Sequence, residues 1–143
     1  MHAPDDKLTL SIPSHPRYLC IIRAFFDSLL RELGFEPQEA DGVILAVHEA
    51  CANVIEHGYQ GDTTQRIDLT VHVVPECFTV EIRDYGRQQD IAAIKPRPLH
   101  QVRPGGLGTH FMQTLMDDVT YDSSDAGTLL RMTKRRSTSC KSP

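Results

Sequence analysis

Glu49, Asn53 and His57 fall at successive four-residue steps in VHEACANVIEHGYQ, residues 47–60, among Val47, Ala50, Cys51, Ala52, Val54 and Ile55, which favour burial. On a helix this spacing sets a carboxylate, an amide and an imidazole along one face, and Gly42 and Ala46 extend that face with small residues. On a solvated face the stripe has no chemical meaning. On a half-covered face an unpaired carboxylate is costly unless a partner or ligand satisfies it. A carboxylate one turn from an amide carbonyl can offer hard oxygens to Mg2+ or place a general base beside a metal. Zinc is excluded by spacing, because HEACA puts Ala52 where HExxH needs its second histidine, and His48 and His57 lie on different faces.

Two further clusters could complete a site. Asp84 and Gly86 close the strand-like FTVEIRDYG. There the Asp can cap a turn and the Gly supply positive φ; alternatively the carboxylate accepts a hydrogen bond from an exocyclic amine while Gly86 lets a flat ring approach the backbone. Gly105, Gly106 and Gly108 precede a helical pattern in GGLGTHFMQTLMDDV, where backbone amides can converge on a phosphate at the helix start. The loop is neither a Walker A motif, since Thr109 and His110 stand where Lys-Ser/Thr would be, nor a dinucleotide fingerprint, since Phe111 replaces the third glycine.

The elements that must position these clusters are legible from periodicity. Leu8, Leu10 and Ile12 alternate up to Pro13 and predict a strand. Ser14 is expected to cap a helix carrying Tyr18, Ile22, Phe25, Leu29 and Leu33 up to Gly34, and Pro37 starts a second helix that ends where Gly58 supplies the positive φ of a C-cap. RIDLTVHV and FTVEIRD predict a hairpin around Pro75 and Glu76. Residues 86–103 lose all period and read as a lid. A third helix follows, with Phe111, Met112 and Leu115 inward, then a last hairpin turning at Asp125, Ala126 and Gly127. This order predicts a two-layer α+β sandwich, helices on one face of a mixed, largely antiparallel sheet.

With 143 residues, 40% of them hydrophobic and 24% charged, the chain has the size and composition of one folded domain. We expect it to occupy residues 1–133, with 134–143 a basic, disordered tail. All 19 acidic residues and 10 of the 15 basic ones precede Arg131, so the body carries −9 and favours a basic protein partner over nucleic acid. No leader-like or spanning apolar segment occurs in the sequence, which predicts a cytoplasmic protein with no membrane partner. Cys20, Cys51, Cys77 and Cys140 lack CxxC spacing and are expected to be reduced thiols, the first three at apolar positions.

Taken in order, EACANVIEHG, RDYG and RPGGLG resemble the N, G1 and G2 boxes of the GHKL ATPase superfamily, and VHEACANVIEHGY is most similar to the anti-sigma-factor serine kinases of bacterial partner-switching systems. The resemblance runs from about Leu8 to Met132 and implies a Bergerat-type sandwich that binds ATP or ADP with Mg2+. By position it makes Asn53 the magnesium ligand, Glu49 the base for an attacking serine hydroxyl, Asp84 the acceptor of the adenine amine and Gly86 the opening for the ring. It places Gly105, Gly106 and Gly108 around the phosphates with Arg103 at the γ-phosphate, and fills out the nucleotide contacts with His57, Leu107, Thr109 and Thr128. It implies phosphorylation of a STAS-domain anti-anti-sigma partner, binding of a sigma factor, and a homodimer. Alternatives are a nucleotide-switched binding module without chemistry and a stressosome-type kinase that activates a phosphatase. The sequence departs from the superfamily pattern at Arg87 and Gln88, where another glycine is common, and at His110, in a stretch that is usually apolar.

Overall fold

The computed structural model describes residues 6–86, 112–124 and 126–136. Strand β1 (Asp6–Pro13) leads through a short 3-10 turn to helix α1 (Leu19–Glu32), followed by α2 (Pro37–Asn53), a π-helical turn (Val54–Gly58), β2 (Arg66–Val73), β3 (Cys77–Asp84), β4 (Asp118–Ser124) and β5 (Gly127–Arg135). The strands form one sheet in the order β1-β2-β3-β5-β4. Every described pairing is antiparallel, so the parallel component allowed for in a mixed sheet does not occur among these strands.

Alternation decides which face is dry. Ile67, Leu69 and Val71 of β2, Phe78, Val80 and Ile82 of β3, and Leu130 and Met132 of β5 are buried, all on the helix-bearing face. The opposite face carries polar cross-strand pairs: the Thr79 and Thr133 hydroxyls lie 3.3 Å apart, and Arg131 donates to Glu81. Burial alone would raise the Glu81 carboxyl, but Arg131 and His72 beside it hold it below the usual carboxylate range. Phe26 of α1 meets Phe78 edge-on at 6.1 Å, and Phe35 meets the same ring at 5.9 Å. Both Phe26 and Phe78 are fully buried, each worth about 1.5–3 kcal/mol by transfer, so this cluster fixes the helices over the sheet.

Several local expectations are corrected. The buried line of α1 is Ile22, Phe26 and Leu30, with Phe25, Leu29 and Leu33 on its flank, because apolar residues at both three- and four-step spacing widen the face beyond its centre. Ser14 does not cap that helix. It is buried and ties β1 to the loop before β2, its hydroxyl donating to the Asp62 carbonyl at 2.6 Å and accepting from the Gln65 amide at 3.0 Å, while His15 Nδ1 caps the 3-10 turn. The end of α1 follows expectation: Gly34 takes φ +80°, and the Phe35 amide reaches back to Leu30 O at 3.1 Å. Gly58 is not in the positive-φ region, which falls at Gln60 and Gly61 instead, because the chain widens into a π turn before it leaves the helix.

The third helix is described only over residues 112–115, where Met112 and Met116 are the buried pair and Leu115 is partly covered; Phe111 lies outside the described residues. Leu115 seats on Gly42, where a Cβ would lie 3.3 Å from its Cδ2, so Gly42 accommodates a neighbouring helix. The basic C-terminal segment is ordered further than expected: Lys134 and Arg135 belong to β5, and Arg136 lies over the Phe35 ring at 4.8 Å. Cys51 is buried and its thiol pushed up to about 12 by desolvation, whereas Cys20 is exposed and so departs from apolar use. Among the described residues no helix is long and apolar enough to cross a membrane.

Candidate functional site

The end of α2 and the last residues of β3 meet the start of β5 around one cavity. Its lining is Ala50, Asn53, Val54, Ile82, Asp84, Met112, Tyr121, Thr128 and Leu130. Sheet register explains why these side chains converge. Asp84, Thr128 and Ser123 form one rung across β3, β5 and β4, and Ile82, Leu130 and Tyr121 form the next on the same face. Ala50 and Asn53 of α2 and Val54 of the π turn supply the opposite wall.

Asp84 is the charged group at the cavity floor, only 1% exposed. Desolvation pushes its carboxyl above the usual carboxylate range, partly opposed by the backbone N–H groups of Gly86 and Thr128 and by the Arg83 charge. The Gly86 N–H donates to Asp84 Oδ1 at 3.1 Å. A carboxyl whose folded pKa is raised lends stability below its unfolded value of 3.8 and loses it as pH rises through the folded value. The wild type is therefore expected to lose an increment of stability across this acid window that Asp84→Asn lacks, read from urea midpoints of both proteins at stepped pH.

Gly86 is required by packing. A Cβ there would collide with the Gly58 carbonyl oxygen and lie 3.1 Å from the Tyr59 ring, and its φ is not in the positive region, so the turn role open at the sequence level does not apply. Tyr59 reinforces the junction: its hydroxyl accepts from the Tyr85 N–H at 2.7 Å and donates to the Arg66 carbonyl. Gly86→Ala is expected to destabilise the fold by about 1–3 kcal/mol, measured by thermal melting, because a backbone atom blocks the added methyl. Gly127, at the start of β5, is constrained likewise, a Cβ there colliding with the Asp84 carbonyl.

The polar stripe of α2 divides. Asn53 faces the cavity, and no hydrogen-bond partner for its side chain occurs among the described residues. Glu49, one turn earlier, is half-exposed and lines a separate open groove with Arg23, Asp41, Ile44, Leu45 and His48. His57 does not continue the line: α2 ends at Asn53, the π turn intervenes, and the imidazole is exposed, 3.9 Å from the Glu56 carboxylate and outside the described cavity lining. Thr128 is buried at the cavity, its hydroxyl 3.2 Å from that of Ser123. Arg103, Gly105, Gly106, Leu107, Gly108 and Thr109 lie outside the described residues, as do Arg87, Gln88 and His110. Sequence reading missed Ala50, Ser123 and Tyr121; an alternating β4 strand next to β5 was the signal that could have placed Tyr121 and Ser123 on the inner face.

Among the described residues no cluster of three or more His, Cys, Asp or Glu side chains is placed to hold a metal ion. The free Asn53 amide still fits Mg2+, an ion held mainly by phosphate and water oxygens with one or two protein ligands.

The structure is a helix-backed antiparallel sheet with a buried carboxylate and an amide around one cleft, and comparison with known proteins supplies its class. The histidine kinase-like ATPase domain profile matches residues 12–134. The serine-protein kinase RsbW of Bacillus subtilis (strain 168) is 30% identical over 90% of this chain and 85% of its own length, and that of Listeria innocua serovar 6a is 29% identical over 90% and 87%. The crystal structure of the RsbU and RsbW domains of Rv1364c from Mycobacterium tuberculosis superposes with a TM-score of 0.70 at 18% identity, over 94% of this chain and 33% of that one. The blue-light activated histidine kinase of Erythrobacter litoralis shares the fold at a TM-score of 0.62 and 17% identity, over 92% of this chain and 44% of that one. The chain belongs to the histidine kinase-like ATPase domain family and, within it, to the RsbW-type serine-protein kinases.

Proposed function

We propose that this protein transfers the γ-phosphoryl group of ATP to a serine of a STAS-domain anti-anti-sigma partner, and that it acts as an anti-sigma factor by binding a sigma factor. The observation that carries this reading is the convergence of Asn53 and Asp84, from helix and sheet, on one cavity. Asp84 accepts the adenine amine at the cavity floor, and Gly86 holds the adjoining backbone close. Asn53 would hold Mg2+, which when bound neutralises charge on the phosphates. Gly105, Gly106, Leu107, Gly108 and Thr109 would surround those phosphates, with Arg103 at the γ-phosphate. Glu49 stands one turn along the helix, about 6 Å in rise from Asn53, on a face a protein substrate can reach. Its carboxylate takes the serine proton as the hydroxyl oxygen attacks, while ADP leaves.

Successive turns on one face of α2 thus serve the protein substrate at Glu49 and the nucleotide at Asn53. His57, exposed on the π turn, would act at the rim of the nucleotide site. The acidic body suits a basic partner surface, and we place the protein in the cytoplasm as a homodimer. Incubation with Mg·ATP and a candidate STAS partner should yield phosphoserine by mass spectrometry. Nucleotide binding without phosphoserine on any partner that forms a stable complex would leave a sequestering module in place of a kinase.

A further inference from the structure

Among the cavity residues that carry a polar side-chain group, Tyr121 is the one to which the motifs give no part. It sits on β4, its Cα paired with Leu130, on the rung next to that of Asp84 and two strands away. At roughly 4.8 Å per strand, its backbone stands about 10 Å across the sheet from that of Asp84. Its ring packs half-buried against the core and lines the cavity, and its hydroxyl has no hydrogen-bond partner among the described residues. The neighbouring polar groups differ: Thr128 is near Ser123, and Asp84 receives the Gly86 amide. Desolvation pushes the phenol up to about 12, so at neutral pH it keeps its proton and can donate.

Resting on the adenine-nucleotide reading above, we propose that Tyr121 is a specificity-determining residue whose hydroxyl donates a hydrogen bond to a ring nitrogen of the base. Adenine bears one exocyclic amine, which Asp84 accepts. Its ring nitrogens N1, N3 and N7 are acceptors, so a group meeting the base away from Asp84 must donate. A phenolic hydroxyl does so, and its stiff ring presents the proton with little ordering cost.

The test compares wild type with Tyr121→Phe, titrated calorimetrically with Mg·ADP and with the 1-deaza, 3-deaza and 7-deaza forms of ADP. Because the hydroxyl has no internal partner, the Phe variant should melt no lower than wild type. It should bind ADP about 3- to 10-fold more weakly, and one deaza analogue should bind both proteins alike. Equal ADP affinity within twofold, an equal loss for all three analogues, or a lowered melting temperature would overturn the assignment. If folded wild type bound none of these nucleotides, the adenine reading itself would fall, an outcome distinct from the other three.

Discussion

Glu49→Ala is expected to lower phosphoryl transfer by about 10²- to 10⁴-fold while leaving Mg·ATP affinity within twofold, the size of effect a positioned general base contributes. The separation follows from where Glu49 sits. It is absent from the described cavity lining, is half-exposed, and lines the groove between α1 and α2, so removing it leaves Asn53, Asp84 and Thr128 in place. No hydrogen bond to its carboxylate occurs among the described residues, and alanine is at least as good a helix former in this interior position, so melting should be unchanged. Single-turnover transfer to a STAS partner and calorimetric titration with Mg·ATP measure the two quantities separately. Transfer at the wild-type rate would refute the assigned base.

Asp84→Asn acts on the other half of the site. A carboxylate that accepts from the adenine amine makes a charge-assisted bond worth about 1.5–3 kcal/mol, so the variant should bind Mg·ADP about 10- to 100-fold more weakly. The amide keeps one oxygen for the Gly86 N–H, and the buried charge that desolvation opposes is gone, so folding should survive. Loss of affinity without loss of structure is the expected pattern. Equal affinity in a well-folded variant would remove the base-recognition role from Asp84.

The fold was legible where side-chain period and burial coincide. Leu8, Leu10 and Ile12 alternate on β1, and the hairpins at Pro75–Glu76 and Asp125–Gly127 follow from turn residues between alternating runs. Long-range contact was not legible. Ser14 has the composition of a helix cap, yet its hydroxyl serves a loop 48 residues away. Gly58 looked like a helix-ending glycine, and nothing in a helical period announces the π turn that displaces His57. In the site, Asn53 and Asp84 each end a regular element, which made their positions legible, and the structure brings both to one cavity. Tyr121 was not found, because the predicted hairpin sets β4 beside β5 but does not say that the cavity reaches across to that edge strand.

The approach of Gly86 to Gly58 sets the gauge of the cleft. One glycine closes the strand that carries Asp84 and the other the turn that follows Asn53, and main chain meets side-chain-free main chain where they touch. The two jaws are thus held at a spacing that rotamer changes do not adjust. Selectivity among nucleobases must then be tuned by what is mounted on the jaws, since their separation is set by the contact of one backbone with the other.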